Sequence, residues 1–402
     1  MSVHVVARGK GSRAYKVRWR EEGRNRARTF TLRRDAEAFD REVERRRQLG
    51  PLAVQQLVAG GGPTLEKWIT DRWVPEHAAM LAQATRERYA SSYELHVRPH
   101  LGDVPIGHLT VGRLRAWQAQ LLDHASAETI RKARVVLSSV LHHAAESEAI
   151  AANPLSVVRT PKAEQRDAVQ PLSPALVERI RAILMSPMPV PIPEGRRAGR
   201  PRASYEMPDM RTPQTRIRDA TIVSVLAFAG LRPGELRALR WADVREHTIV
   251  VQRGTNPDGS IKATKNAQNR SVKLLTPLAQ DLRAFRLAAG RPPQTALIFP
   301  RADGGAWTKE DWGNWRSRTW HTACERAAAE IPRPYDLRHS AASLWLAERR
   351  PPLQVARWLG HSLSVLLSTY AHLIDEYAES GQIDANEEII KARGGAKTAL
   401  SA

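Results

Sequence analysis

The sequence predicts a mainly α-helical protein with small β elements, built as three consecutive domains. Three observations carry this reading. Apolar residues recur at helical spacing over most of the chain from residue 64 onward. Period-two alternation is confined to short stretches near the N-terminus and around residues 248–274. Two polar segments, Gly60-Gly61-Gly62-Pro63 and residues 159–170 with Pro161, interrupt the pattern as linkers do. The domains then run over 1–60, 63–158 and 169–392, and 402 residues suffice for that many cores.

In the first domain, Ala14-Tyr15-Lys16-Val17-Arg18-Trp19-Arg20 alternates as a strand, and Arg28-Thr29-Phe30-Thr31-Leu32 reads as a second. Glu22-Gly23-Arg24-Asn25 supplies the turn, and Asp35 caps a helix whose Ala36, Phe39 and Val43 recur at helical spacing. Residues 1–50 carry fifteen Lys or Arg against seven Asp or Glu, so this small sheet-plus-helix unit is strongly basic.

The second domain reads as four helices. Leu65, Trp68, Ile69 and Trp73 share a face of the first; Thr85 is an N-cap for the second, which carries Tyr89 and Tyr93 and stops at Pro99. Leu109-Thr110 opens a third helix through Trp117 and Leu121. Ser126 or Thr129 opens a fourth, and the unit closes at Asn153-Pro154. Arg131, Lys132 and Arg134 crowd the start of that fourth helix and are candidate phosphate contacts.

In the third domain, Ser173-Pro174 starts a helix, proline being tolerated in a first turn. Residues 186–215 hold seven prolines and many arginines, and read as an inserted or mobile loop. Helical periodicity resumes from Arg218 to Phe228 and ends at Gly230. Thr248–Gln252 and Asn269–Leu274 are strands, with a turn at Asn256-Pro257-Asp258-Gly259.

Composition narrows the function. A net charge of +20 and a pI near 10.8 favour a polyanionic partner, which relieves the self-repulsion of so many like charges. No run of 18 apolar residues and no hydrophobic signal core occurs, so the expected location is the cytoplasm, or the nucleoid within it. Cys324 is the only cysteine, so neither an internal disulfide nor a cysteine-based zinc site can form. His142-His143 and His96/His100 lack partners at ligand spacing, and no Gly-rich loop ending in Lys-Ser or Lys-Thr is present.

Four phrases follow in order: Gly230-Leu231-Arg232-Pro233-Gly234-Glu235-Leu236, Tyr335-Asp336-Leu337-Arg338-His339, Leu359-Gly360-His361-Ser362 and Thr369-Tyr370-Ala371-His372. Two guanidiniums, an imidazole and a phenol suit one task, the breaking of a phosphodiester with a protein hydroxyl as nucleophile. Together the phrases resemble the boxes of the tyrosine recombinase family of the phage-integrase type, and the likeness covers roughly residues 63 to 380. It implies an arm-type DNA-binding module at the N-terminus, a four-helix (SAM-like) core-binding domain and a mixed α/β catalytic domain.

It also implies roles. Arg232 and Arg338 become the phosphate clamp, with Glu235 orienting Arg232. His361 hydrogen-bonds a non-bridging oxygen, and Tyr370 is the nucleophile. A hairpin lysine, Lys265 or alternatively Lys262, protonates the departing 5′ oxygen. Tyr335 stands where the family's usual histidine does, and a phenol of pKa near 10 is a poor base at neutral pH. Asp336 is read as the cap of the Arg338 helix, His339 as a packing residue, and Tyr377 as a decoy with no matching Thr before it. Neither metal nor nucleotide cofactor is implied. Expected partners are double-stranded attachment-site DNA, three further protomers in a tetramer on paired sites, and a host DNA-bending or directionality factor. The rival readings are a type IB topoisomerase-like enzyme, which needs no core-binding phrases, and a catalytically idle DNA-binding regulator, which would have lost an Arg or the Tyr.

Overall fold

The computed structural model describes every residue except 1–2, 9–11, 22–23, 48–61, 163–168, 193–194, 198–199, 203, 264–268, 331–332, 380 and 402. The chain divides into two compact units, Met1–Arg166 and Asp167–Ala402.

The first unit opens with an antiparallel meander of β1 (Val3–Arg8), β2 (Ser12–Glu21) and β3 (Arg24–Phe30), in which Tyr15 pairs with both Val5 and Phe30. The sequence reading lacked β1, because Val5-Val6 breaks its alternation. Helix α1 (Arg33–Arg47) supplies Ala36, Phe39 and Val43, which pack with Val17 and Trp19 in a small core.

A second core in this unit is helical. Leu65–Trp68 continues through a π turn, Ile69–Trp73, into Val74–Glu76, and α2 (Gln83–His96), α3 (Val111–Leu122) and α4 (Ala127–Glu146) follow. The Thr110 and Ser126 side chains accept from backbone amides three residues on, satisfying otherwise orphaned donors. Thr85 is not a cap: α2 begins two residues earlier, behind Ala82. Leu65, Trp68, Trp73, Trp117 and Leu141 meet in the interior.

In the second unit, α5 (Pro174–Met185) is capped by Ser173. The segment read as a loop carries four short strands in two nested antiparallel pairs. There β4 (Val190–Ile192) pairs with β7 (Tyr205–Met207), and β5 (Gly195–Arg197) with β6 (Arg200–Arg202). Its prolines masked the strand pattern; ladders this short tolerate them at edges. Helix α6 (Pro213–Ala229) is buried on every side from Asp219 to Ala229, as a central helix must be, and α7 (Pro233–Arg237) follows it closely. Strand β8 (Thr248–Val251) pairs with β11 (Arg270–Lys273), and β9 (Arg253–Thr255) with β10 (Ile261–Ala263).

Later helices of this unit include α8 (Thr276–Ala288), α9 (Leu337–Ala347), α10 (Pro352–Leu359), α11 (Leu363–Glu379) and α12 (Ala385–Ser401). In α12, Ala385 and Ile389 join the core of this unit. Its Arg393 pairs with Glu178 of α5 at 3.1 Å and Asp281 of α8 at 2.6 Å, so the C-terminal helix docks on its own unit. Among the described residues no helix is long and apolar enough to cross a membrane.

Candidate active site

Two helix ends and a set of side-chain hydrogen bonds bring the four sequence phrases together. Helix α6 ends at Gly230 in the left-handed conformation, φ +59°, where an added Cβ would also lie 3.1 Å from both Ala341 of α9 and Leu359 of α10. Arg232 then N-caps α7. Its backbone N–H donates to Glu235 Oε2 (2.8 Å), and its guanidinium donates to Glu235 Oε1 (3.0 Å) and to the Gly360 carbonyl (3.0 Å). Gly360 itself ends α10 at φ +64°, and a Cβ there would crowd Arg270 at 3.3 Å and Arg232 at 3.5 Å.

Arg338, in the first turn of α9, is 1% exposed. Its guanidinium donates to the carbonyls of Gly230 and Leu359, the closing residues of α6 and α10, and to His361 Nε2 (3.0 Å). Because Nε2 accepts, the ring proton of His361 belongs on Nδ1, which is buried without a hydrogen-bond partner among the described residues. Asp336 occupies the N-cap position of α9, as the sequence suggested, but its side chain makes no capping bond there. Its carboxylate accepts instead from the backbone and side chain of Arg333, closing a single 3-10 turn that carries Tyr335.

Sequence reasoning missed Arg270. From β11 it makes a two-bond contact with Glu235, at 2.8 and 2.6 Å, and donates to the Trp358 carbonyl at 2.7 Å. An arginine in a strand with no nearby carboxylate in sequence was the available signal. Glu235 therefore holds two guanidiniums at once. Burial pushes its carboxyl up, but Arg270 and Arg232 outweigh that and hold it at about 2. One carboxylate cannot neutralise three guanidiniums. Arg338 is driven down to about 10 by burial and by the charges of Arg232 and Arg270. Burial, Arg338, Arg232 and Arg270 push His361 down to about 4, so its imidazole is neutral at pH 7. An anion entering here would relieve that repulsion. An open cleft of about 980 Å³ gives access, with Arg232, Lys262, Arg270, Arg357 and His361 on its walls.

Lys262 lies exposed on β10 at this cleft, and Lys265 lies outside the described residues. Tyr370, on α11, is fully buried and does not line the cleft. Its hydroxyl is 2.7 Å from His339 Nδ1, and burial pushes its phenol above the ordinary value, against a smaller pull from Arg338. His339 thus reaches the tyrosine hydroxyl, beyond the packing role expected of it. Tyr377, two turns along the same helix, has its hydroxyl 2.6 Å from Ser343 Oγ. Tyr335 is 37% exposed and meets the His339 ring edge-on.

In the first unit, Arg131 and Lys132 are exposed beside Glu128. Arg134 departs from the expectation of a phosphate contact. It is 9% exposed and turned inward, donating to Gln118 Oε1 and the Val158 carbonyl, each at 2.7 Å. Its position between Ile130 and Leu137 on the buried face of α4 was the sequence signal for this. Among the described residues, no group of three or more His, Cys, Asp or Glu is placed to hold a metal ion.

The chain matches the phage integrase family over residues 207–376 and the phage integrase central domain over residues 67–160. It is 30% identical to the integrase of Mycobacterium phage D29 over 363 residues, 85% of this chain and 84% of that one. It is 26% identical to the tyrosine recombinase XerC of Xanthomonas campestris over 225 residues, 56% of this chain and 57% of that one. Its fold resembles the Tn1549 transposon integrase in complex with transposon right end DNA (TM-score 0.59, 18% identity, 79% of this chain and 98% of that one). It likewise resembles a lambda integrase dimer bound to a COC' core site (TM-score 0.57, 16% identity, 94% and 97%). With the D29 likeness running through both units and all four motif phrases in place, the chain belongs to the tyrosine recombinase family of the phage-integrase type.

Proposed function

We propose that this site-specific DNA recombinase integrates a phage or other mobile element into a bacterial chromosome, with Tyr370 as the nucleophile. One observation carries the reading most: Arg232 and His361 line one cationic cleft, buried Arg338 donates to His361, and His339 joins the Arg338 helix to Tyr370. The guanidiniums of Arg232 and Arg338 take the non-bridging oxygens of the scissile phosphate, where their excess positive charge stabilises the charge that builds in the transition state. Phosphate oxygens also favour protonated His361, which then donates a hydrogen bond to one of them. Tyr370 Oη gives its proton to a neighbouring base and bonds to phosphorus as the P–O5′ bond breaks, leaving a 3′-phosphotyrosyl link and a free 5′ hydroxyl protonated by Lys265 or Lys262. A second strand's 5′ hydroxyl reverses the step. One phosphoester is traded for another, so positioning and charge suffice.

The phage integrases among the relatives support the integration role. The lambda integrase tetramer bound to a Holliday junction supports four protomers of this chain on two paired sites, because a reciprocal exchange cuts four strands. Residues 1–60, with Arg131 and Lys132, serve as further DNA contacts, and a host bending or directionality factor completes the assembly. The deciding experiment incubates the wild-type chain and Tyr370→Phe with nicked duplexes spanning the element–chromosome junction. Wild type should form a covalent adduct and Tyr370→Phe none, with DNA binding nearly unchanged. An adduct with the Phe variant refutes the assignment.

A further inference from the structure

The hydroxyl read as the nucleophile lies against a histidine that the four-phrase resemblance leaves without a chemical role. His339 Nδ1 is 2.7 Å from Tyr370 Oη, with the ring centroids 5.7 Å apart. The position three residues before Arg338, where the family's usual histidine stands, is Tyr335. A phenol there cannot draw a proton from another phenol at neutral pH, since their affinities for it are alike. Tyr335 is also more than a third exposed, and its ring meets the side of His339 at 6.0 Å. The reacting hydroxyl is buried, away from bulk water that would otherwise accept its proton.

We propose that His339 is the proton acceptor for Tyr370 during strand cleavage, and the donor that returns the proton during strand joining; this rests on Tyr370 being the nucleophile. In cleavage the Oη–H proton moves to Nδ1 as the Oη–P bond forms. The P–O5′ bond breaks and O5′ takes a proton from a different acid, the hairpin lysine. In joining, the incoming 5′ hydroxyl attacks phosphorus and gives its proton to the neutral hairpin lysine, the P–Oη bond breaks, and the imidazolium gives its proton back to Oη. No proton or electron is consumed over the cycle.

The surroundings favour a neutral ring able to accept. Burial lowers the proton affinity of His339, Asp336 opposes this, and Arg338 and Arg333 add to the lowering. The other titratable groups facing it are Tyr335 on its own segment, Tyr370 on α11 and His361 after α10. When the ring gains a proton during cleavage, the developing phosphotyrosyl group compensates its charge.

The test uses the full chain on nicked junction duplexes, with single-turnover adduct formation followed from pH 5.5 to 9. His339→Asn keeps a hydrogen-bonding atom near the Nδ1 position but cannot titrate there, whereas His339→Ala removes both functions. General-base assistance is worth roughly 10²–10⁴-fold, so His339→Asn should slow cleavage by about 100-fold or more at pH 7. Its rate should then climb with pH as the phenol ionises, while wild type levels off. A 5′-bridging phosphorothiolate substrate, whose sulfur leaves without an acid, should fail to restore it and should restore a hairpin-lysine variant.

A His339→Asn rate within about threefold of wild type, or its rescue by the phosphorothiolate, overturns the proposal. Failure of the nucleophile reading looks different: Tyr370→Phe would still form the adduct. If both His339 variants unfold, 15N spectra of the histidines in the wild-type chain decide. An unprotonated Nδ1 on His339 at pH 7, with its signal shifted in Tyr370→Phe, supports the role, and a protonated Nδ1 overturns it.

Discussion

Glu235→Gln isolates the electrostatics of the cleft. The carboxylate is 7% exposed and accepts four hydrogen bonds, two from Arg232 and two from Arg270. Its fall from the usual 4.5 to about 2 corresponds to roughly 3 kcal/mol, at about 1.4 kcal/mol per pH unit. Removing one member of a buried pair costs roughly 3–5 kcal/mol, because the remaining charges stay buried without their partner. The two routes agree near 3 kcal/mol. In a domain of this size a melting temperature moves by roughly 2–4 °C per kcal/mol, so the variant should melt roughly 6–12 °C lower at pH 7.

The sign with pH follows from the direction of the shift. A carboxyl held below its unfolded value contributes fully above pH 4.5, and loses that contribution as the pH falls toward 2. Wild type and Glu235→Gln should therefore converge through that window. Differential scanning calorimetry across pH 2–8 measures this, with covalent adduct formation alongside. Cleavage should fall by roughly 100-fold, the cost of an ångström-scale displacement of a positioned group. A variant that melts within 2 °C of wild type at pH 7, or whose deficit is undiminished near pH 2, refutes the reasoning.

Three further outcomes are expected. Arg232→Ala should slow cleavage by roughly 10²–10³-fold, and Arg232→Lys should recover only part of that, since an ammonium cannot make the planar two-bond contact; single-turnover adduct assays on matched variants check both. Arg393→Ala should cost about 2 kcal/mol in urea unfolding, below the full cost of a broken buried pair because Arg181 also contacts Glu178 and Asp281. Deleting residues 1–60 should preserve cleavage of a core site yet impair complete integration, and unchanged recombination by the truncated chain would make that module a bland appendage.

Much of this was readable in the sequence because it is local. Ser126, Thr110 and Ser173 cap helices within three residues of themselves, and Gly230 and Gly360 mark helix ends by their freedom at positive φ. Arg232, Arg338 and His361 belong to short phrases whose order could be matched. What escaped depends on contacts between distant segments. Arg270 meets Glu235 across 35 residues and His339 meets Tyr370 across 31, and no periodicity encodes either meeting. Arg134 looked like one of three basic surface residues until α4 was placed with its apolar face inward. The strand pairs β4–β7 and β5–β6 were hidden by prolines that argue against any ladder.

The position of Arg338 also bears on how such a chain can decay over generations. Its guanidinium ties the carbonyl ends of α6 and α10 together from the middle of the core, so the group read as a phosphate ligand is also a fastener of the domain. Replacing it threatens folding and chemistry together, and a lineage that lost it would lose the protein. Tyr370 carries no such double duty, because Phe fills its place at the expense of one hydrogen bond. Descendants that retained DNA binding while abandoning strand exchange should thus keep the arginine and lose the tyrosine hydroxyl. A silent relative would then be recognisable by a single altered residue in α11.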